Sequence, residues 1–247
     1  PVVLGFAIVP RAGQPTLYLD PAKITDELTA ALKGVATVAS TDTLTADLAA
    51  LGAAGKAVLI DPATAPAAIA TSLTEAGASL IEKADPVLLP KAKKNEAELA
   101  GMREAHHLDG VALAKFLAWF DDKAPKGGLT EIGIVTALES FLRQEESCVD
   151  ASFDTISGAG PNGAIVHYRV TSKTDRALNP GELMLVDSGA QYLSGTTDIT
   201  RTLSTGATMF EQRDRFTRVL KGMIAISLAR FPQGTSGAQL DTLARQF

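Results

Sequence analysis

Apolar positions in the first third of the chain alternate between short aliphatic runs and longer stretches with helical spacing. The runs VVLGFAIV, TLYL, VATVA and KAVLI predict strands. Segments 22–32, 44–51 and 66–76 predict amphipathic helices, the last with Pro66 at its first position. Strands that alternate with helices indicate an α/β layer with a largely parallel or mixed sheet. No glycine-rich phosphate loop joins a strand to a helix here, so we assign this region no chemistry.

A proline- and lysine-containing segment over 85–94 predicts the boundary between two domains, which we place at 1–88 and 89–247. Asn95 followed by Glu98 predicts a capping box at the start of a long amphipathic helix. A second helix is predicted over 130–144. The neighbours His106 and His107 point about 100° apart on the first helix, so we expect both to be structural or solvated rather than ligands of one metal.

Residues 183–187 and 196–203 are rich in β-branched and aliphatic side chains, and residues 188–195 supply turn formers. This pattern predicts an antiparallel hairpin that carries one acid on each strand, Asp187 and Asp198. The turn formers LNPG over 178–181 predict a tight turn that leads into it.

If Asp187 and Asp198 pair across the hairpin, the turn is centred between Tyr192 and Leu193, inside the predicted connection. Directly opposed residues share a face, with Cβ atoms about 4.5–5.5 Å apart. Two neighbouring acids repel each other unless positive charge lies between them, and a pair of divalent cations about 3.5–4 Å apart fits that gap. The alternative is that Asp187 caps a turn and Asp198 pairs with Arg201.

The loop SGAGPNG over 157–163 leads into a predicted strand over 164–170 that has His167 at its centre. A strand after such a loop is the wrong order for a nucleotide-binding loop. A lone histidine in an apolar strand is usually a hydrogen-bonded core residue. A catalytic role near the hairpin downstream is the alternative.

One or two of Thr200, Arg201 and Thr202, which follow Asp198 on the second strand, are expected to hold its carboxylate, because metal ligands generally need such support. Thr208 and Glu211 predict a capping box for a helix that ends near Phe231-Pro232, and Ser236 predicts the start of a last helix.

The sequence VDSGAQY followed by TTDITRT resembles the metal-binding hairpin of the pita-bread metallopeptidases. The upstream run SGAGPNGAIVHYR narrows the resemblance to the Xaa-Pro aminopeptidase branch. The resemblance extends from about Lys91 to the last residue, and the first 88 residues resemble a creatinase-like domain that lacks its beginning. The fold implied is an α/β N-terminal creatinase-like domain (partial), followed by the first half of an α+β pita-bread catalytic domain.

The resemblance implies that Asp187 and Asp198 are ligands of a dinuclear metal centre and that His167 is catalytic. The implied activity is metal-dependent release of an N-terminal residue that precedes proline, from peptide substrates with proline at the second position. Hard oxygen ligands favour Mn²⁺, with Zn²⁺ or Co²⁺ as alternatives. The resemblance also implies a homodimer. Three alternatives with the same fold are a prolidase-type Xaa-Pro dipeptidase, a metal-free creatinase, and a non-catalytic module that binds peptides or proteins.

Charge and composition limit the kinds of partner that this chain is expected to have. The net charge of −5 and the pI near 5.3 argue against nucleic acid as the main partner, since no basic stripe is present. No apolar run reaches about 18 residues, so we expect no membrane span. The single cysteine, Cys148, excludes an internal disulfide and agrees with a cytoplasmic location.

We also expect this chain to be a piece of a longer protein, since it begins without Met and its last helical pattern continues to Phe247. Two aspartates offer too few oxygens for a stable dinuclear site. In the family a histidine and two glutamates complete the centre, and no histidine follows Asp198 here. The segment alone is therefore expected to be inactive.

Overall fold

The computed structural model describes residues 3–247, which form two compact units that divide between Lys93 and Lys94. In the described part of the first unit the strands are β1 (Gly5–Ile8), β2 (Thr16–Leu19), β3 (Thr37–Ser40), β4 (Ala57–Ile60) and β5 (Ser79–Glu82). Its helices are α1 (Asp26–Ala31), α2 (Leu44–Ala53), α3 (Ala67–Glu75) and α4 (Leu88–Ala92).

The first unit is an α/β layer with mixed strand directions, as the apolar pattern predicts. Strand β2 lies between β1, to which it is antiparallel, and β3, to which it is parallel. Strands β4 and β5 form a separate parallel pair. The core contains Tyr18, Leu44, Leu48, Ile60 and Leu73. The Tyr18 hydroxyl donates to Asp47 Oδ2 (2.7 Å), and burial together with that carboxylate raises the pKa of Tyr18 to about 12.

Two local predictions in this unit are wrong, and two elements were not predicted. The helix expected over 22–32 begins only at Asp26, because the Thr25 hydroxyl accepts the Leu28 N–H and caps it there. Pro66 is the N-cap residue of α3 and not its first helical residue. The predicted linker contains α4, and β5 was not predicted, since the run SLIE has only two apolar residues.

The second unit contains the strands β6 (Cys148–Ala151), β7 (Ile156–Ala159), β8 (Leu183–Ser188), β9 (Ala190–Tyr192) and β10 (Ile199–Ser204). Its helices are α5 (Glu96–Lys123), α6 (Glu131–Leu142), α7 (Phe210–Leu228) and α8 (Gly237–Ala244). Short 3₁₀ turns lie at 124–126 and 160–164. Among the described helices, none combines the length and apolar character that crossing a membrane requires.

The helix starts of this unit follow local sequence signals. The capping box predicted for α5 is confirmed: Glu98 N–H donates to Asn95 Oδ1 (2.9 Å), and Asn95 N–H donates to Glu98 Oε2 (2.8 Å). Helix α8 begins after Ser236 as predicted. The box predicted at Thr208 is wrong by one residue, because Met209 N–H donates to Gln212 Oε1 (2.7 Å) and α7 begins at Phe210.

The apolar faces of helices α5 and α6 pack together with the strands of this unit in one core. Strand β8 is central in an antiparallel sheet with the order β10-β8-β7, and β6 pairs with β9 in a second antiparallel ladder. The core includes Phe116 and Phe120 from α5, Leu138 from α6, and Met184 and Val186 from β8. Because side chains alternate along a strand, Asp187 lies on the face opposite Val186 and is only half-buried.

Candidate metal and catalytic site

The register of the hairpin differs from the predicted one. Strands β8 and β10 are antiparallel, but Thr200 and not Asp198 lies opposite Asp187. The predicted direct opposition of the two aspartates is therefore wrong. Asp198 lies two residues before Thr200, immediately ahead of β10, and so occupies a diagonal position relative to Asp187.

The connection between β8 and β10 explains this shift. It is not an irregular loop, because β9 pairs with β6 and Gln191 bridges to Thr196. Tyr192 N–H donates to Gly195 O (2.8 Å), which centres the turn one residue later than predicted. A hairpin turn sets the register of the strands that it joins, so every pair beyond it is displaced.

The Asp187 carboxylate is supported from across the ladder. The Thr200 hydroxyl donates a hydrogen bond to Asp187 Oδ1 at 2.7 Å. Arg201 Nη1 donates to the backbone oxygen of Thr200 (2.7 Å). The prediction that these residues hold the Asp198 carboxylate is therefore wrong, because the one carboxylate that Thr200 supports is that of Asp187.

Asp198 is exposed, but the backbone before it is anchored in the core. Thr197 is buried, and its hydroxyl donates to Asp109 Oδ1 (2.7 Å) on α5. Ser152 Oγ donates to Thr197 O (2.9 Å), and Thr197 N–H donates to Ala190 O (2.9 Å). Sequence reasoning missed Asp109 and Ser152, because neither lies near the hairpin in the sequence and no local motif marks them.

Neither aspartate is neutralised by a basic side chain. Throughout residues 3–247, no lysine, arginine or histidine nitrogen lies within 4.0 Å of the carboxylate of Asp187 or Asp198. The alternative in which Asp198 pairs with Arg201 is therefore wrong. Carboxylate oxygens are hard donors. Two carboxylates that lie on adjoining segments and have no basic side chain beside them carry a negative charge that suits a divalent ion.

These two carboxylates supply only part of a ligand set. Over the described part of the chain, no group of three or more His, Cys, Asp or Glu side chains is arranged to hold a metal ion. His167 accordingly does not join Asp187 and Asp198 in such a group. The residues present therefore fit a divalent ion in donor type and charge, but each ion would need further ligands.

His167 lies in an exposed turn, and the predicted strand over 164–170 is wrong. A 3₁₀ turn over 160–164 is followed by a second turn, with Ile165 N–H bonded to Asn162 O (3.1 Å) and Tyr168 N–H bonded to Ile165 O (3.2 Å). His167 has φ = 54°, in the left-handed region that non-glycine residues rarely adopt. Its imidazole is thus presented to solvent on a backbone that the surroundings must hold in place.

An ion pair lies against the beginning of this loop. Arg176 and Glu182 make a two-pronged contact, and Glu182 also accepts the Asn179 N–H (3.0 Å). The hydrogen bond from Arg176 is the main cause that lowers the pKa of Glu182 to about 2. A Cβ at Gly160 (φ = 53°) would lie 2.9 Å from Glu182 Oε1, so glycine suits both the backbone and the close approach.

Two family models match the chain. Residues 100–247 match metallopeptidase family M24, and residues 1–98 match the creatinase/prolidase N-terminal domain. The fold class expected from the resemblance is therefore confirmed.

Curated relatives and solved structures extend this finding. A probable Xaa-Pro aminopeptidase P from Aspergillus clavatus is 42% identical over 256 residues, which cover 100% of this chain and 39% of the relative. Xaa-Pro aminopeptidase 1 from Dictyostelium discoideum is 39% identical over 99% of this chain and 39% of its own length. The crystal structure of an X-prolyl aminopeptidase from Caenorhabditis elegans, described as a cytosolic enzyme with a di-nuclear active site, matches with a TM-score of 0.85. Its identity is 29%, over 99% of this chain and 41% of that one.

A prolidase from Pyrococcus furiosus shares the fold, with a TM-score of 0.70 and 21% identity over 98% of this chain and 67% of its own. The chain spans about two-fifths of the length of the curated relatives named above. The M24 model covers more than half of the chain. The matched region contains the hairpin with Asp187 and Asp198, neither of which forms an ion pair within the described residues. The chain therefore belongs to metallopeptidase family M24.

Proposed function

We propose that this chain forms part of a metal-dependent aminopeptidase that releases an N-terminal residue preceding proline. The observation that carries the proposal is the pair of carboxylates, Asp187 and Asp198, that lie on adjoining segments of one hairpin with no basic side chain beside them. The relatives named as Xaa-Pro aminopeptidases and the di-nuclear site of the Caenorhabditis elegans enzyme support it.

In this proposal Asp187 and Asp198 hold two divalent ions, with Mn²⁺ preferred because both donors are carboxylate oxygens. Ligands from outside these 247 residues complete the centre. When bound, such ions make a water more acidic and polarise the scissile carbonyl. The Thr200 hydroxyl keeps one Asp187 oxygen oriented, and the anchored Thr197 fixes the backbone from which Asp198 projects.

His167 is proposed as the catalytic residue of this chain. Its exposed imidazole, on a turn with left-handed backbone, is available to donate a hydrogen bond to the substrate carbonyl oxygen as negative charge develops there. A donor of this kind acts only if it is already in place, since reorganisation during the reaction would cancel its benefit.

The remaining proposals concern the whole protein. We propose peptides with proline at the second position as substrates, a homodimer as the assembly and the cytoplasm as the location. The domain boundary is proposed between residues 88 and 89, close to the division between the compact units at Lys93 and Lys94.

The metal assignment is tested by Asp187→Asn and Asp198→Asn in the full-length protein. Both substitutions preserve side-chain shape but remove a charge that divalent cations require, so bound metal and hydrolysis of an Xaa-Pro-Xaa tripeptide should be lost together. Asp121→Asn, at an exposed position of α5, is the matched control and should retain both. An Asp187 or Asp198 variant with wild-type metal content and activity would contradict the assignment. Cleavage of Xaa-Pro dipeptides but not of the tripeptide would instead identify a prolidase.

The role of His167 is tested separately by His167→Ala. The value of kcat should fall by about 10²-fold or more, in the range usual for loss of a positioned catalytic group, while metal content stays at the wild-type level. His107→Ala, which removes an exposed imidazole from α5, is the control. An unchanged kcat for His167→Ala would exclude a catalytic role.

A further inference from the structure

A fully buried carboxylate lies beneath the turn that carries His167. Glu131, at the start of α6, is 0% exposed, and no lysine or arginine in the described residues forms an ion pair with it. Burying a charged group is costly unless hydrogen bonds replace its hydration. At the N-terminus of a helix the macrodipole also favours a negative group.

Four protein groups supply those hydrogen bonds, two to each oxygen of Glu131. The donors to Oε1 are Ala159 N–H (2.8 Å) and Asn162 Nδ2 (2.9 Å), and those to Oε2 are Tyr168 O–H (3.0 Å) and Arg176 N–H (3.3 Å). Asn162 Nδ2 also lies 2.9 Å from the Tyr168 hydroxyl, which joins the two side chains directly. The carboxylate is thus the common acceptor for one closed network.

The donors come from both sides of the exposed turn. Asn162 precedes His167 and Tyr168 follows it directly, while residues 164–167 between them are exposed. Tyr168 is 9% exposed, so its ring is held in the interior. Glu131 therefore fixes the two ends of a short segment whose middle makes few contacts of its own.

The backbone of His167 needs such constraint. A left-handed conformation in a non-glycine residue is unfavourable and persists only where neighbouring contacts determine it. With Asn162 and Tyr168 both bonded to Glu131, the chain between them has little freedom to relax. Without that anchor the turn would be free to adopt ordinary backbone conformations, and the imidazole would move with it.

We propose that Glu131 is a positioning residue for His167, which it holds in the left-handed turn through Asn162 and Tyr168. This inference rests on the proposed catalytic role of His167. Glu131 itself is buried and does not contact substrate, so its effect on catalysis passes through the histidine.

Glutamine cannot replace Glu131 without conflict. Each carboxylate oxygen faces a backbone N–H, that of Ala159 on one side and that of Arg176 on the other. Whichever way the amide group of Glu131→Gln is oriented, its NH₂ meets one of these N–H groups, and a backbone donor cannot be inverted. The isosteric substitution therefore opens the network at one side.

The experiment compares Glu131→Gln and Tyr168→Phe with Glu139→Gln in the full-length enzyme. Tyr168→Phe removes one hydroxyl and keeps the ring, so it tests the network even if Glu131→Gln fails to fold. Glu139 lies further along α6 and contacts Thr155 and Arg143 rather than the His167 turn, which makes it the matched control.

We expect kcat to fall about tenfold to a hundredfold in both test variants, since misplacing a reacting group by about 1 Å can cost ~10²-fold. KM and metal content should stay unchanged, and Glu139→Gln should match the wild type. In a His167→Ala background, Glu131→Gln should cause no further loss, because it acts through a side chain already removed. An equal proportional loss in both backgrounds would overturn the proposal.

Hydrogen exchange at the amides of residues 164–168 separates this inference from the proposed function. Exchange should be faster in Glu131→Gln and Tyr168→Phe than in the wild type or the control. Unchanged exchange in both variants would refute positioning, whatever His167 does. If His167→Ala alone retains wild-type kcat, the catalytic role of His167 fails first and the positioning role falls with it.

Discussion

The hydrogen bond from Thr200 to Asp187 offers a sharp test of the metal assignment. Thr200→Val exchanges the hydroxyl for a methyl group of nearly the same size and keeps the β-branched shape that suits a strand. Asp187 Oδ1 then loses the donor that lies 2.7 Å away. The carboxylate becomes free to populate other rotamers, which a bound ion would have to restrict again.

The expected cost follows from the chemistry of this contact. A hydrogen bond to a charged group contributes about 1.5–3 kcal/mol net, and loss of a group that orients a metal ligand typically lowers metal affinity by about 10–100-fold. A tenfold loss of metal affinity corresponds to about 1.4 kcal/mol. The lower end of the affinity range therefore agrees with the lower end of the hydrogen-bond range. Because Thr200 is exposed, we expect a loss near tenfold and a change below about 1 kcal/mol in the free energy of unfolding.

The assay is a calorimetric titration of the metal-free full-length protein with Mn²⁺, which measures the affinity for the metal. Thr202→Val is the matched control, because Thr202 lies two residues further along β10 and makes no side-chain hydrogen bond within the described residues. We expect weaker binding for Thr200→Val and wild-type binding for Thr202→Val. Wild-type affinity in Thr200→Val, alongside loss of metal in Asp187→Asn, would refute the idea that Thr200 orients the ligand.

Three further predictions concern stability. Leu138→Ala removes a fully buried side chain of α6 and should lower the free energy of unfolding in urea by about 2–5 kcal/mol; a loss below about 1 kcal/mol would contradict the assigned core. Gly158→Ala places a Cβ 2.8 Å from Gly163 N and should destabilise by more than about 1 kcal/mol, whereas Gly237→Ala, with no atom within 4 Å, should not; equal effects would refute the close approach. The folded-state pKa of Glu182 is lowered from 4.5 to about 2, so its contribution to stability is complete above 4.5 and is lost as pH falls toward 2. In Glu182→Gln the free energy of unfolding should accordingly fall less as the pH is lowered. The same pH dependence as in the wild type would contradict the pairing of Glu182 with Arg176.

Interactions between residues close in the chain were predictable. The capping box of Asn95 and Glu98 joins positions three residues apart, so its signal is complete within one helical turn. The second helix, predicted over 130–144, spans Glu131–Leu142 for the same reason, since Thr130 caps it through its own hydroxyl. Apolar periodicity likewise predicted the α/β character of the first unit.

The register of the hairpin was not predictable from its own residues. The turn formers over 188–195 allow several turn positions, and each gives a different partner for Asp187. The position adopted depends on Tyr192, which is buried and whose hydroxyl lies 3.4 Å from Asp109, 83 residues away in the chain. Burial and the Asp109 charge raise the pKa of the Tyr192 hydroxyl.

The conformation of His167 was decided in the same way. The run AIVHYRV has the β-branched and aromatic content of a strand, and β propensity depends strongly on context. Here Tyr168 and Asn162 are both bonded to Glu131, more than 30 residues earlier in the chain, and this holds the segment in turns. Local preference was thus overridden by one buried carboxylate that no motif marks.

The amino-acid sequence by itself determined which residues carry the chemistry, because side-chain type and local spacing are properties of the chain. It also determined the positions of most helices and strands, since their signals lie within a few residues. Only the tertiary structure decided what faces Asp187, what anchors Asp198 and how His167 is presented. Each of these depends on contacts between residues far apart in the chain, whose partners are known only once the core has formed.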